Sequence, residues 1–296
     1  MSSAAVSVVV RSLPLAFGAG AVIGVLGGMI GLGGAEFRLP LLIGVFGFVA
    51  LAAVIVNKAM SLVVVLTALP ARLASVPFTD VTAQWGVVAN LLAGSLVGAW
   101  VGATWATRMR SATLYKVLAV LLVFIAAALV ASHLGPVRTL DLPPAVRVGA
   151  GLVAGVFIGV VAALMGVAGG ELLIPTIVLL YGIDIKLAGS LSLTVSLPTM
   201  LVVFARYSQD ASFQILRTNK TFVLVMSAGS VTGTLLGGVL LGVVPSAVII
   251  PLLVTLLLAS SVKVWRHQQG AERVGTGGAR PRRLPAGGLG WVRRPR

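Results

Sequence analysis

Apolar runs of roughly membrane-crossing length, ~20 residues, recur with short polar breaks all the way from residue 13 to residue 265. A water-soluble domain has no place to hide that many, because its surface needs charge. Here 58% of residues are hydrophobic and 10% charged, with a mean hydropathy of +1.09, against about 45–50% and ~25% in ordinary soluble domains. The same figures exclude disorder over most of the length. The fold class expected is an all-α integral membrane protein of about ten transmembrane segments. The first five run from Leu13 to Leu32, Phe37 to Val56, Ala59 to Val76, Gln84 to Thr107 and Thr113 to His133. The second five run from Ala145 to Val167, Leu172 to Ile183, Leu187 to Ala205, Thr221 to Val243 and Ala247 to Trp265. The seventh is short, so the pair flanking each glycine break also reads as a re-entrant hairpin.

The second half copies the first. GVLGGMIGLGGAEFRLP at 24–40 aligns without gaps on GVVAALMGVAGGELLIP at 159–175, and LLAGSLVGAWVG at 91–102 on MSAGSVTGTLLG at 226–237. Both alignments hold one offset of 135 positions, so the chain is a tandem duplication. The division expected is a first repeat over 1–133, a linker over 134–144, a second repeat over 145–266 and a disordered basic tail over 267–296. That tail is rich in Arg, Gly and Pro and too poor in apolar residues to fold alone. It accounts for much of the net charge of +15, which is therefore read as contact with the anionic cytoplasmic leaflet and not with nucleic acid. Arg11 precedes a long apolar run with no convincing small-residue cleavage site, so this start reads as a first helix and not a cleavable signal.

Charge asymmetry orients the copies. Arg108, Arg110 and Lys116 crowd one loop, while the loop equivalent to it in the duplication is uncharged. Equivalent loops then face opposite sides, and five crossings per half make the repeats inverted. This assigns seventeen basic residues to the cytoplasm, Lys58 among them, and leaves Arg38, Arg72, Arg138, Arg147 and Lys186 outside. Both termini are expected in the cytoplasm of a bacterial inner membrane. Trp105, Tyr207 and Trp265 read as an inner aromatic belt, Trp85 and Tyr181 as an outer one.

Inverted repeats place a transporter's site near the midplane, where broken helices meet. Gly33, Gly34, Gly169 and Gly170 mark those breaks, each followed by a Glu and, four residues after it, a Pro. Exposed helix N-termini there offer N–H groups and partial positive charge to an anion. Glu36 and Glu171 are carboxylates inside apolar runs, which makes them functional suspects. One reading makes them proton carriers or gates. The other has them cap amides at the break or pair with a neighbour such as Arg38. Asn57, Ser61, Ser190 and Ser192 lie on the next helix of each repeat, and either line the path or tie helices together. Arg72 and Arg206 close those helices, either attracting an anion or snorkelling to the interface. The glycines 94, 98 and 102, with 229, 233 and 237, form small-xxx-small faces for close helix packing. GLGG and GVAGG lack the strand and the Gly-Lys-Ser/Thr of a phosphate loop. With no Cys, two His and no nucleophile–base motif, neither cofactor nor metal nor enzymatic activity is expected.

The duplicated blocks GVLGGMIGLGGAEFRLPLL and GVVAALMGVAGGELLIPTIVLLYG, with NKAMSLVVVLTALPARL and KLAGSLSLTVSLPTMLVVFARY after them, resemble the TauE/SafE sulfite exporter family of membrane permeases. The resemblance covers nearly all of residues 13–265. It implies a permease for a small sulfur-containing anion such as sulfite, thiosulfate or an organosulfonate, with the lipid bilayer as its other partner and a homo-oligomer compatible with the pattern. A small-cation transporter using the two Glu, or a non-transporting partner subunit, are the alternatives.

Overall fold

The computed structural model describes residues 12–30, 34–75, 78–131, 140, 142–240, 251 and 254–266. The expected tail, both histidines, Gly33 and most of the 134–144 linker lie outside the described residues. Helices account for nearly everything described, and no strand occurs among those residues.

In chain order the helices are α1 (Leu13–Ile30), α2 (Ala35–Gly44), α3 (Ala50–Ser75), a short α4 (Phe78–Ala83), α5 (Trp85–Arg108) and α6 (Ser111–Ala131). The second half repeats them as α7 (Pro144–Met165), α8 (Gly170–Tyr181), α9 (Ile185–Tyr207), the small α10 (Gln214–Thr218) and α11 (Lys220–Leu240), followed by helical residues 254–266. The starts of α2, α3 and α5 at 35, 50 and 85 recur at 170, 185 and 220, the offset of the sequence duplication. Among the described residues six helices are long and apolar enough to cross a membrane, and Leu13–Gly28 and Gly170–Tyr181 are shorter apolar helices.

The expected second span, Phe37 to Val56, is not one helix. It divides into the short α2 and the beginning of α3, and the rest of α3 absorbs the expected third span. Gly47 causes the division: at φ +72 it occupies the left-handed region that other residues avoid, as Gly182 does at φ +66 after α8. The two glycines are equivalent under the duplication. Short helices after both breaks are therefore a property of both halves, not of the second alone.

Glycine faces decide which helices pair. A Cβ added at Gly24 of α1 would meet the backbone of Ser230, Gly233 and Thr234 on α11, and one added at Gly159 of α7 would meet the backbone of Ser95 and Ala99 on α5. Side chains larger than hydrogen would hold these helices apart, and in an apolar solvent close van der Waals approach is what drives association. Gly24 and Ser230 map onto Gly159 and Ser95, so each half lends its first helix to the fifth helix of the other. Around these two joints Trp85, Val97, Trp100, Val101, Trp105, Val153 and Leu224 are left exposed, a surface suited to lipid.

Tyr207 departs from the expected aromatic belt. It is fully buried, and its hydroxyl donates to Ala163 O at 2.8 Å. Trp105 and Trp85 are exposed as a belt requires, and Tyr181 is half-buried with its hydroxyl accepting from Asn90 at 2.7 Å.

Candidate functional site

Both helix breaks have the same construction. Gly34 precedes α2 at φ +69 and Gly169 precedes α8 at φ +89. The Gly34 carbonyl accepts from Phe37 and Arg38 N–H, and the Gly169 carbonyl from Leu172 and Leu173 N–H. Each Glu thus sits in the first turn of a new helix, where the helix dipole favours negative charge. Pro40 and Pro175 lie inside these helices rather than in their first turns. Lacking an N–H, each proline cannot donate the helical bond to the carbonyl four residues back, which is that of the Glu.

The two carboxyl groups face each other across the halves, close enough to interact side chain to side chain. Glu36 is 1% exposed. Apart from each other, its Oε2 and both Glu171 carboxyl oxygens are buried with no hydrogen-bond partner among the described residues. Buried carboxylate oxygens are normally satisfied, so this pair is equipped to hold a proton, a cation or a donor brought from outside. The N-cap positions themselves are glycines and bring no capping side chain, and each Glu carboxyl lies near the amide of its own first turn.

Beside the carboxyls lie two buried cations that the charge count had put at the membrane surfaces. Arg38 and Lys58 are both 0% exposed. The charge count misplaces them because it treats a charge as a loop marker, although Lys58 also stands among the polar residues of the third span and Arg38 is by sequence a candidate neighbour for Glu36. Removing them from the tally leaves sixteen basic residues on the side expected to be cytoplasmic and four on the side expected to be outside, so the expected asymmetry keeps its sign. Arg38 donates from Nε to Asn57 Oδ1 at 2.9 Å, and from its terminal nitrogens to Ser230 Oγ at 3.0 Å and Ser61 Oγ at 3.1 Å. All three acceptors are neutral. They fix the plane of the guanidinium without cancelling its charge, and among the described residues one N–H on each terminal nitrogen is left over.

Asn57 and Ser61 do more than hold Arg38. Asn57 Nδ2 donates to Ala35 O and to Met165 O, both at 3.0 Å, and Ser61 Oγ lies 3.2 Å from Gly166 O. Lys58 Nζ donates to Val167 O. Positions 57, 58 and 61 share one face of α3, since residues four apart stack along a helix. That face meets the three consecutive carbonyls that α7 releases at its end, binding the first and third, while the single Ser61 proton has Asn57 O at 2.8 Å as its nearer acceptor.

The second half lacks the cations. The counterparts of Arg38, Asn57, Lys58 and Ser61 are Leu173, Ser192, Leu193 and Ser196. Ser190 and Ser196 are buried with hydroxyls unpartnered among the described residues, while Ser192 donates within its own helix to Gly189 O at 2.9 Å. Ser95 and Thr199 hydroxyls meet at 2.7 Å. None of these joins the Arg38 cluster by a hydrogen bond. The positive charge of the site comes from one repeat alone.

Arg206 is elsewhere. Its Nε donates to Thr104 Oγ1 at 2.9 Å and its guanidinium lies 5.9 Å from the Trp100 ring centre, which pins it to α5. Arg72 is carried by α3, and its side chain lies outside the described residues. No group of three or more His, Cys, Asp or Glu suited to a metal occurs among the described residues.

Buried cations and a carboxyl pair thus meet at a junction of broken helices that is built twice. Compared with known families, residues 15–264 match the family described as Sulfite exporter TauE/SafE. The chain belongs to the TauE/SafE sulfite exporter family. That match covers most of its length and makes it a multi-pass membrane protein of a transporter family, not of an enzyme family. No curated protein and no solved structure matches it.

Proposed function

We propose that the chain carries a small oxidised sulfur anion, such as sulfite, thiosulfate or an organosulfonate, across a bacterial inner membrane in company with protons. The observation that carries this reading is Arg38. A guanidinium sealed in an apolar interior and bonded only to neutral groups is costly to keep. Its two remaining N–H groups suit an oxyanion, which a planar guanidinium binds through more than one oxygen.

The carboxyl pair supplies the coupling. Arg38 and Lys58 against two ionised Glu give a neutral cluster with no pull on an anion. One proton held between Glu36 and Glu171, which as neighbouring like charges resist ionising together, turns the cluster net positive. Anion and proton then promote each other's binding, and by linkage each does so to the same extent. Ser190 and Ser196 offer hydroxyls along the second half of the path.

In this reading ten segments form two inverted five-helix repeats, residues 1–133 and 145–266, with both termini in the cytoplasm and the tail against anionic lipid. Rocking one repeat on the other alternates access. The matched element offsets and the exchanged glycine joints support the arrangement. A cation carrier is the second reading, favoured by the three carboxylate oxygens that have no partner outside the pair among the described residues.

The test is sulfite flux in proteoliposomes with and without an imposed pH gradient. Wild type should respond to the gradient, and Glu36→Gln/Glu171→Gln should carry a flux that ignores it. Uptake of Na+ or K+ that sulfite does not affect, without sulfite movement, would replace the anion reading with the cation one.

A further inference from the structure

Where a broken helix ends inside a membrane, its last carbonyls are left without partners and carry the negative end of the helix dipole. Such carbonyls, together with a carboxylate, make a seat for a small monovalent cation in transporters built this way. The end of α7 has these parts. Met165, Gly166 and Val167 present successive carbonyls, and Glu171 brings a carboxylate whose two oxygens are buried and, apart from Glu36, unpartnered among the described residues. Gly166 is at φ +70, which turns the chain there.

The seat is filled from within. The Lys58 ammonium, 0% exposed, donates to Val167 O and lies within electrostatic range of Glu171 without a hydrogen bond or ion pair to it. Asn57 takes Met165 O, and the Ser61 hydroxyl, whose proton has Asn57 O at 2.8 Å as its nearer acceptor, lies 3.2 Å from Gly166 O. We propose that Lys58 is a tethered substitute for a coupling cation: its ammonium occupies a site for a small monovalent cation formed by the α7 carbonyls and Glu171. The chain therefore needs no Na+ or K+, and removing the ammonium while leaving the space recreates a site that one of these ions fills. The equivalent position of the second repeat is Leu193, so only one half carries the substitute.

The experiment is thermal unfolding of the purified full-length chain in detergent, with NaCl, KCl or choline chloride at equal ionic strength. Wild type should unfold at the same temperature in all three. Lys58→Ala should be destabilised in choline and recover with Na+ or K+ by about 3–10 °C, the shift that saturating binding gives a protein of this size. Lys58→Met, which fills the space with apolar atoms, should show no such recovery, nor should Lys58→Ala/Glu171→Gln. If Lys58→Ala yields too little folded protein in choline, Lys58→Ser leaves the same space. Failure of both variants to fold in the presence of either ion overturns the proposal, as does Lys58→Ala unfolding alike in all three salts or wild type gaining as much from Na+ as the variant does. A transport arm rests on the anion reading above: wild-type flux should be unchanged when choline replaces Na+, and Lys58→Ala flux should become dependent on the cation. A wild type that moves no anion would sink that reading, and the unfolding comparison would still decide this one.

Discussion

Adding one methyl group at Gly98 tests whether the glycine joints hold the two halves together. The new Cβ would stand 2.8 Å from the Val156 carbonyl carbon and 2.9 Å from its Cα. Carbon atoms rest ~3.5–4.0 Å apart, so α5 and α7 must separate locally by about 1 Å, a gap that forfeits a quarter to a half of each opposed contact. Neither obstacle is the end of a flexible side chain that could swing away; both are helix backbone. Overpacking of this kind costs ~1–3 kcal/mol. Gly86 on the same helix is the control, because a Cβ there meets nothing within 4 Å. Alanine improves helix propensity at both positions by about 1 kcal/mol. That gain cancels when the variants are compared, so Gly98→Ala should be ~1–3 kcal/mol less stable than Gly86→Ala. Reversible unfolding in mixed detergent micelles, followed by the fluorescence of the five tryptophans, measures the difference. Gly233→Ala should cost the same as Gly98→Ala, since its Cβ meets the Ala21 carbonyl carbon and Val25 N, both at 2.8 Å, in the equivalent joint. Equal stability of Gly98→Ala and Gly86→Ala would refute the packing argument, and a neutral Gly233→Ala beside a damaging Gly98→Ala would refute the equivalence of the joints.

Asn57→Ala removes an acceptor from Arg38 and donors from Ala35 O and Met165 O; leaving buried partners unsatisfied at ~1–3 kcal/mol each, it should cost more stability than any single Ser→Ala change in the cluster, as the same unfolding assay would read. Gly34→Ala forces a Cβ into the left-handed region, at about 1–2 kcal/mol, and against Ile23 on α1, so its unfolding midpoint should drop, whereas Gly18→Ala, with open space around it, should not. Thr104→Val deletes the acceptor for Arg206 and should leave sulfite flux unchanged, because Arg206 is anchored away from the carboxyl pair; a large loss of flux would return Arg206 to the path.

The architecture was legible where the sequence repeats itself. Gly34 with Gly169 and Glu36 with Glu171 identify both breaks and both carboxylates, because duplication brings out residues that a single copy would leave inconspicuous. Asn57 and Ser61 were also visible, as polar residues inside an apolar run. The burial of Arg38 and Lys58 was not, for a physical reason: although Lys58 stands beside Asn57 and Arg38 beside Glu36, a charge count treats a cation as a surface marker, and only three dimensions reveal that Asn57, Ser61, Ser230 and the α7 carbonyls surround these two. They are also the residues that the second repeat does not copy, so the comparison that identified the glutamates passed over them. The division of α2 from α3 was hidden because Gly47 lies in an otherwise apolar run, and its match to Gly182 is a single residue seven positions beyond the aligned block. Ser230 was recognised within a packing motif, but its bond to Arg38 crosses 192 positions of sequence and leaves no local trace.

The central claim is that Arg38 holds the transported anion. Its most direct test is sulfite flux into proteoliposomes carrying wild type or Arg38→Gln, with insertion and folding verified in both. Two charge-assisted hydrogen bonds to the anion, at ~1.5–3 kcal/mol each, predict a loss of at least about 100-fold in flux at limiting sulfite for Arg38→Gln. A folded Arg38→Gln that moves sulfite within about twofold of wild type would contradict the account.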